Sequence, residues 1–573
     1  MKYQSSKSIT KLNLFHLAII GIFIFAFSIR TYGINSINFT NSEAEVLLSI
    51  TEIKPTGSYS FLYGQLIKIL LFFGIAGYPG FRLINAFLGS LIVLLPALYF
   101  HEIGKKPAIL ASIFFAFDPF AIANSIIFTG NTLTILLIGW LIETIIHKRN
   151  YLIQLIIIFL IGLGRGMGYF FCSSILFLLV VFFIDRIRLN RLHSIITEKI
   201  STKNFLTIAG VFIFTVTILS LVTKTPVSNL ASDIVNFALG MSENYQIGNY
   251  PIVYPFAIIS YIPMATIASF IFLIKKPKLE FNKLKLVLLW TILVFLIITF
   301  YPGHLIIDLV WVSLPLWLIT GILIGNSMPA QFLTQEGNLS FFGILIVVSI
   351  NLVLNIVSLV YRSVWGMDIT NTLLAILLII IFIIVLVLYR AYSASISKAI
   401  SALLLVVLIF SGLIQLSISA RTVGANDKPE NEFLWNGYFE DQDMLKEIIT
   451  KTKTSIFGTS GKLNIFIDGQ SNPSILLALE RDSLFFQKSD ILSTNPDVIV
   501  SENRTMSLNS GAYQGQEFIS ISYPIWTWDP LKSFISTDFW NWFFFRNNQQ
   551  YKEYNSLWIN KTKLEENSII GVN

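Results

Sequence analysis

Charge is scarce in this chain: only 13% of its 573 residues are Asp, Glu, Lys or Arg, whereas 54% are hydrophobic. No ordinary globular fold hides that much apolar surface from water, so a soluble enzyme is excluded and the bilayer is the main solvent. Cysteine is nearly absent. Its one copy, Cys172, sits inside an apolar block, which excludes a disulfide framework and a zinc cluster of the CxxC kind. Acidic residues are fewer than basic ones, and the net charge is +7. Most Lys and Arg before residue 420, however, lie in short loops between apolar blocks, where they set membrane orientation, and this argues against nucleic acid.

What the sequence has in abundance is long uncharged apolar blocks, such as Phe15 to Ser28, Leu286 to Phe300, Phe341 to Val360 and Leu373 to Leu388. With their flanks they can cross about 30 Å of hydrocarbon as helix. Expected spans are 14–31, 81–100, 107–123, 131–146, 151–164, 168–185, 205–223, 251–274, 286–301, 305–325, 340–361, 370–389 and 399–419. The first is read as a transmembrane helix and not a cleaved signal peptide, because many spans follow it. A cytoplasmic N-terminus then places Lys105, Lys106, Lys148, Arg149, Arg390 and Lys398 on the same side. The stretch 61–73 is short, and counting it as a span would invert every later loop, so it is read as a surface helix within an outer loop, 32–80. The fold expected is therefore a polytopic all-α membrane domain, 1–420, with about thirteen transmembrane helices. A small soluble α/β domain, 421–573, follows on the extracytoplasmic side of the plasma membrane. In it, Leu463 to Ile467, Val498 to Val500 and Phe518 to Ile521 read as strands, and Met444 to Ile449 and Pro473 to Glu480 as helix.

Ionised groups near the outer face cost free energy unless they are used or paired. Glu43 and Glu45, in Asn38-Phe-Thr-Asn-Ser-Glu-Ala-Glu-Val46, are candidate catalytic carboxylates able to take a proton from an acceptor hydroxyl or amine. The plainer alternative is a helix start capped by Asn41 or Ser42, with acids in the first turn. Asp118 and Asp308 lie near the outer ends of their spans and could face a polar cavity or pair with a base. Arg82, Arg165, His304 and Arg362 fall at the same boundary, where a cation could hold the phosphate of a lipid carrier or merely snorkel. Together these residues suggest a site for a phosphorylated amphiphile, with Arg82, Asp118, Arg165, His304 and Asp308 as substrate-binding residues. Neither a metal nor a cofactor is expected. The glycines from Gly162 to Gly168 join two apolar spans and are not a dinucleotide fingerprint, and Asp441-Gln-Asp443 is a pairing common in exposed loops.

The order of features resembles the GT-C superfamily of membrane glycosyltransferases, especially the branch of protein mannosyltransferases and lipid A aminoarabinose transferases. The resemblance runs through Arg30, Ser42-Glu43-Ala44, Pro55, the helix from Ser58 to Phe73, Gly74, Phe81-Arg82-Leu83, Gly104, Asp118-Pro119 and Asn124-Ser125. The C-terminal Trp526-Thr-Trp-Asp-Pro530 and Leu557-Trp-Ile559 are similar to relatives described as flippase-activity-associated. The resemblance implies transfer of a sugar from a polyprenyl-phosphate donor to a lipid, glycan or protein acceptor outside the cytoplasm, with a carboxylate of the first outer loop as base. Two departures stand out: Ser42 replaces an Asp, and Asn131 stands where a second Asp is expected. A second reading is therefore an inactive binding or accessory protein that presents or translocates lipid-linked glycans. A third is a secondary transporter coupled to protons through Asp118 and Asp308.

Overall fold

The computed structural model describes residues 14–32, 61–73, 78–128, 130–147, 151–162, 253–275, 281–300, 306–327, 338–393, 396–423, 439–457, 463–468, 473–480, 485–486, 495–502, 512–524, 537–545 and 549–570, with isolated positions at 34, 38, 40, 43–44, 47, 173–174, 176 and 434. These residues are mostly helical, with one mixed sheet toward the C-terminus. Among them, six helices are long and apolar enough to cross a membrane, or eight if each of two bent pairs counts as one span. The protein is an integral membrane protein, but the larger expected number of spans is not reached among the described residues. The expected span at 205–223 lies outside them, as does that at 168–185 apart from positions 173, 174 and 176, and the helices at Asn131–Thr144 and Val287–Phe300 fall short of a full crossing.

Prolines explain the two bends. Helix α1 is Leu14–Tyr32, α2 is Phe61–Phe72 and α3 is Tyr78–Ile92. The expected single span at 107–123 is instead α4 (Lys105–Ala116) and α5 (Pro119–Ile126), which meet at 59°. Pro119 has no N–H with which to continue the α4 ladder, and Asp118 opens the new helix by accepting the Phe120 N–H at 2.8 Å. Helices α6 (Asn131–Ile146) and α7 (Tyr151–Gly162) follow. Pro263 has the same effect between α8 (Val253–Tyr261) and α9 (Pro263–Lys275), which turn through 97°. After α10 (Phe281–Phe300) comes a 3₁₀ turn, Ile306–Leu309, and then α11 (Val310–Ser327). Helix α11 lies against α4 through Gly321 and Gly325; a Cβ on Gly321 would stand 2.6 Å from the Pro107 carbonyl oxygen, so this small-xxx-small pair permits close backbone approach.

Helices α12 (Asn338–Val364), α13 (Thr370–Ser393) and α14 (Ile396–Val423) form an up-and-down group. The α12 end is a Schellman motif: the Met367 N–H donates to Arg362 O and the Gly366 N–H to Ser363 O, with Gly366 at φ 63°. Apolar side chains stay exposed nearly all around α13, as suits a helix whose surroundings are hydrocarbon.

The C-terminal unit starts with α15 (Gln442–Phe457). It continues through β1 (Asn464–Asp468), α16 (Pro473–Glu480), β2 (Phe485–Phe486), β3 (Val498–Ser501), β4 (Tyr513–Pro524), α17 (Thr537–Phe545), β5 (Gln550–Asn560) and α18 (Lys561–Ile570). The sheet order is β2-β1-β3-β5-β4. Strand β1 is parallel to both its neighbours, whereas β5 is antiparallel to β3 and β4. Leu445, Ile449, Ile465, Leu479, Val498, Val500 and Leu557 bury a core of its own. Asp441 ties α15 to this sheet by accepting the Ile519 N–H at 2.6 Å.

Among the described residues, two contacts join the sheet unit to the chain before it. At one, Asn38 donates its amide to the Phe439 carbonyl oxygen at 3.0 Å, and Ala44 and Leu47 pack on Ile467, Leu476 and Leu477. At the other, α17 places Phe539 and Trp542 in the main core of the helical body, Phe539 edge-on to Phe256 and Trp542 edge-on to Tyr261. The segment from Asp538 to Phe545 carries six aromatic residues, too few apolar positions to span a bilayer but enough to dock in a protein core.

Candidate functional site

The site grows from a turn just beyond α1. The Thr40 carbonyl oxygen accepts the Ala44 N–H at 3.0 Å, which makes Thr40 the cap of the short helix that contains residues 43, 44 and 47. Thr40-Asn-Ser-Glu43 is a capping box: Glu43 N–H reaches Thr40 Oγ1 at 3.4 Å, and Glu43 Oε2 accepts the Thr40 N–H at 3.1 Å. The helix-start alternative thus describes the turn, with the cap one residue ahead of Asn41.

Arg82 on α3 completes the arrangement. Its Nε donates to Glu43 Oε1 at 2.8 Å and its Nη2 to Glu43 Oε2 at 2.7 Å, with both side chains wholly buried. Arg82 also donates to the carbonyl oxygens of Ile34 (2.7 Å) and Asn38 (3.2 Å). Glu43 further accepts Thr40 Oγ1–H at 3.1 Å and the Phe128 N–H at 3.2 Å. Five donors therefore converge on its two oxygens. A carboxylate offers about four lone-pair directions. Glu43 is consequently filled by structural bonds, and Arg82 holds the loop backbone as firmly as it holds the acid. Helix α2 lies over this anchor, with Ile67 packed on Phe81 and Phe128.

A second polar set lies directly alongside. Asn85, one turn on from Arg82, donates to the carbonyl oxygens of Asn124 (2.7 Å) and Ile127 (2.6 Å) and accepts Thr132 Oγ1–H at 2.5 Å. Asn124 donates to the Ile307 carbonyl oxygen at 2.6 Å. Asn131 donates to Asp308 Oδ1 at 2.7 Å and to Asn124 Oδ1 at 3.2 Å. Arg30, near the end of α1, donates through Nε to Ser125 Oγ at 3.1 Å. The members of this network are buried, and two of their atoms, Arg30 Nη2 and Asn131 Oδ1, find no hydrogen-bond partner among the described residues. Gly89 faces Ser125 so closely that any Cβ would overlap its hydroxyl. Gly89→Ala is therefore expected to displace Ser125 from Arg30 and to lower the melting temperature in detergent, by about 1–3 kcal/mol of stability; an unchanged melt would count against the Arg30–Ser125 contact.

The expected site residues thus separate. Glu43 and Arg82 meet directly, and Asp308 joins the adjacent network through Asn131. Asp118 is the buried α5 cap and an electrostatic neighbour of Arg30, with its second oxygen taking the Trp317 indole N–H at 3.0 Å. Glu45, Arg165 and His304 lie outside the described residues. Arg362 is at the exposed α12 turn, where it donates to the Asp368 carbonyl oxygen at 3.3 Å. Asn85 and Thr132 went unrecognised as candidates, although amides and hydroxyls inside apolar spans are themselves a signal. Among the described residues, no group of three or more His, Cys, Asp or Glu side chains could hold a metal.

No family model and no curated protein matches the chain. Among solved structures, ArnT from Cupriavidus metallidurans bound to undecaprenyl phosphate aligns over 84% of this chain and 92% of its own, at 11% identity and a TM-score of 0.49. The apo state of the same protein aligns over 85% and 92%, at 13% identity and a TM-score of 0.42.

Proposed function

We propose that this protein is a membrane-embedded glycosyltransferase of the GT-C kind, which takes a sugar from a polyprenyl-phosphate donor and passes it to an acceptor on the extracytoplasmic face. The observation that carries this reading is the continuous buried network of Arg30, Asn85, Asn124, Ser125, Asn131, Thr132 and Asp308 inside otherwise apolar helices. Buried polar groups at such depth are expensive and mark sites of function. Short amides and hydroxyls suit a hydroxyl-rich sugar, and the unmet N–H of Arg30 suits an anion. In this reading Arg165 and His304 supply further cations to the phosphate, and Glu45 stays beside the site. Glu43 is a positioning residue, which with Arg82 sets the loop over the network.

The test uses the full chain in nanodiscs. Saturable binding of undecaprenyl phosphate is expected, together with release of that carrier from undecaprenyl-phosphate hexoses or pentoses when acceptor-containing membrane lipids are supplied. Absence of both results sinks the reading. A second reading, an accessory protein that holds a lipid-linked glycan without transfer, is favoured by one feature, the full hydrogen-bond complement of Glu43. It requires carrier binding with no release.

A further inference from the structure

We infer that Asn131 recognises a hydroxyl of the donor's sugar by accepting its O–H at Oδ1, a role that rests on the lipid-linked donor proposed above and holds whether or not the sugar is transferred. The backbone fixes the direction of the Asn131 amide. The Phe120 and Ile307 carbonyl oxygens stand 3.1 and 2.6 Å from the Asn124 amide, and a carbonyl oxygen only accepts, so the Asn124 nitrogen faces them. Asn124 Oδ1 therefore turns toward Asn131, 3.2 Å away, where it meets the Asn131 nitrogen as donor. The other N–H of that nitrogen goes to Asp308 Oδ1 at 2.7 Å. Reversing the amide would set oxygen against oxygen on both sides. Both Asn131 N–H groups are thus engaged, and only its oxygen is left to meet a ligand.

That oxygen is buried, in a residue 1% exposed, and has no hydrogen-bond partner among the described residues. The two bonds on the nitrogen keep it from swinging toward another donor. Asn85 and Thr132 beside it already bond to each other, so the network does not supply the hydrogen from within. A buried acceptor in this state is costly, and a ligand that brings a hydrogen removes the cost. The phosphodiester of a polyprenyl-phosphate sugar carries no hydrogen and cannot meet it. The polyprenyl chain has no polar hydrogen either. What remains on such a donor is the sugar, whose hydroxyls are neutral donors matched to a neutral amide oxygen. Asn131 thus separates the sugar from its carrier: it contributes to binding only when a hydroxyl stands at the right ring position.

The test measures affinity, with no acceptor present, for the full chain in nanodiscs. The probes are undecaprenyl phosphate, its mannose, glucose and arabinose conjugates, and every monodeoxy analogue of whichever conjugate binds tightest. In wild type, removing one particular hydroxyl is expected to weaken binding by about 5- to 150-fold, because the deoxy sugar fills the site and leaves the amide oxygen unmatched. In Asn131→Leu the same deletion should change affinity by less than about twofold, since neither partner is then left alone. Any general loosening of the network lowers all affinities together and cancels in the ratio of parent to deoxy sugar. An unchanged ratio in Asn131→Leu therefore overturns the assignment; Asn131→Ala serves the same comparison if the leucine variant does not fold. A wild type that binds every monodeoxy sugar as tightly as the parent overturns it without any variant. Binding of undecaprenyl phosphate with no gain from any sugar overturns it too, and leaves carrier recognition standing. Binding of none of the probes sinks the lipid-linked donor and this assignment together.

Discussion

Arg82→Met is expected to cost about 3–5 kcal/mol of stability, because it leaves the Glu43 carboxylate buried without its cation. Glu43→Gln is expected to be costly for the mirror reason, since the guanidinium is then the uncompensated charge. The double variant, with neither charge, should recover much of the loss, because replacing a whole buried pair by neutral groups is often close to neutral. Thermal unfolding in detergent, followed through tryptophan fluorescence, reads all three. Single variants that each cost under about 1 kcal/mol would show that the pair is open to water. The damage should also extend beyond the pair. Ala44 and Leu47 pack on Leu476 and Leu477 of the sheet unit, so Arg82→Met should raise hydrogen exchange in α16 as well.

Trp542→Ala carries the second large effect. Trp542 is fully buried in the core of the helical body, edge-on to Tyr261, although its helix belongs to the chain between β4 and β5. Truncating a buried Trp to Ala typically costs about 3–5 kcal/mol, as transfer energy and a residual cavity. The sheet unit has its own core, so it should survive while its attachment loosens. Hydrogen exchange should therefore rise in α8 and α17 and stay unchanged in β1 and β3. A uniform rise across the sheet would mean that α17 is part of the sheet's own stability, and no rise anywhere would remove the docking contact from the account.

The elements legible in the sequence were those whose signal is local. The strand expected at Leu463 to Ile467 appears as Asn464–Asp468, the one at Val498 to Val500 as Val498–Ser501, and the helix from Pro473 to Glu480 is unchanged. The strand expected at Phe518 to Ile521 is the middle of a much longer one, Tyr513–Pro524. Its first half, Tyr513-Gln-Gly-Gln-Glu517, is largely polar and carries no apolar alternation; pairing with β5 makes it a strand. Helix α17 went unseen because it is neither long enough for a span nor polar enough for a surface helix, and its meaning depends on the distant core residues Phe256 and Tyr261 that it packs on. The site shows the same division. The Thr-x-x-Glu capping box could have been read from four residues, whereas the Asn131–Asp308 contact joins positions 177 apart and leaves no local trace. The bends at Asp118 and Ile262 were signalled by Pro119 and Pro263, but hydropathy alone joins the two halves of each pair.

The two junctions between sheet and helices have a mechanical consequence. Asn38 and Ala44 attach the sheet unit near α1, and α17 attaches it near α8, at the 97° break. Two separate attachments leave the sheet unit one easy motion, a swing about the line that joins them, and oppose rotation about any other axis.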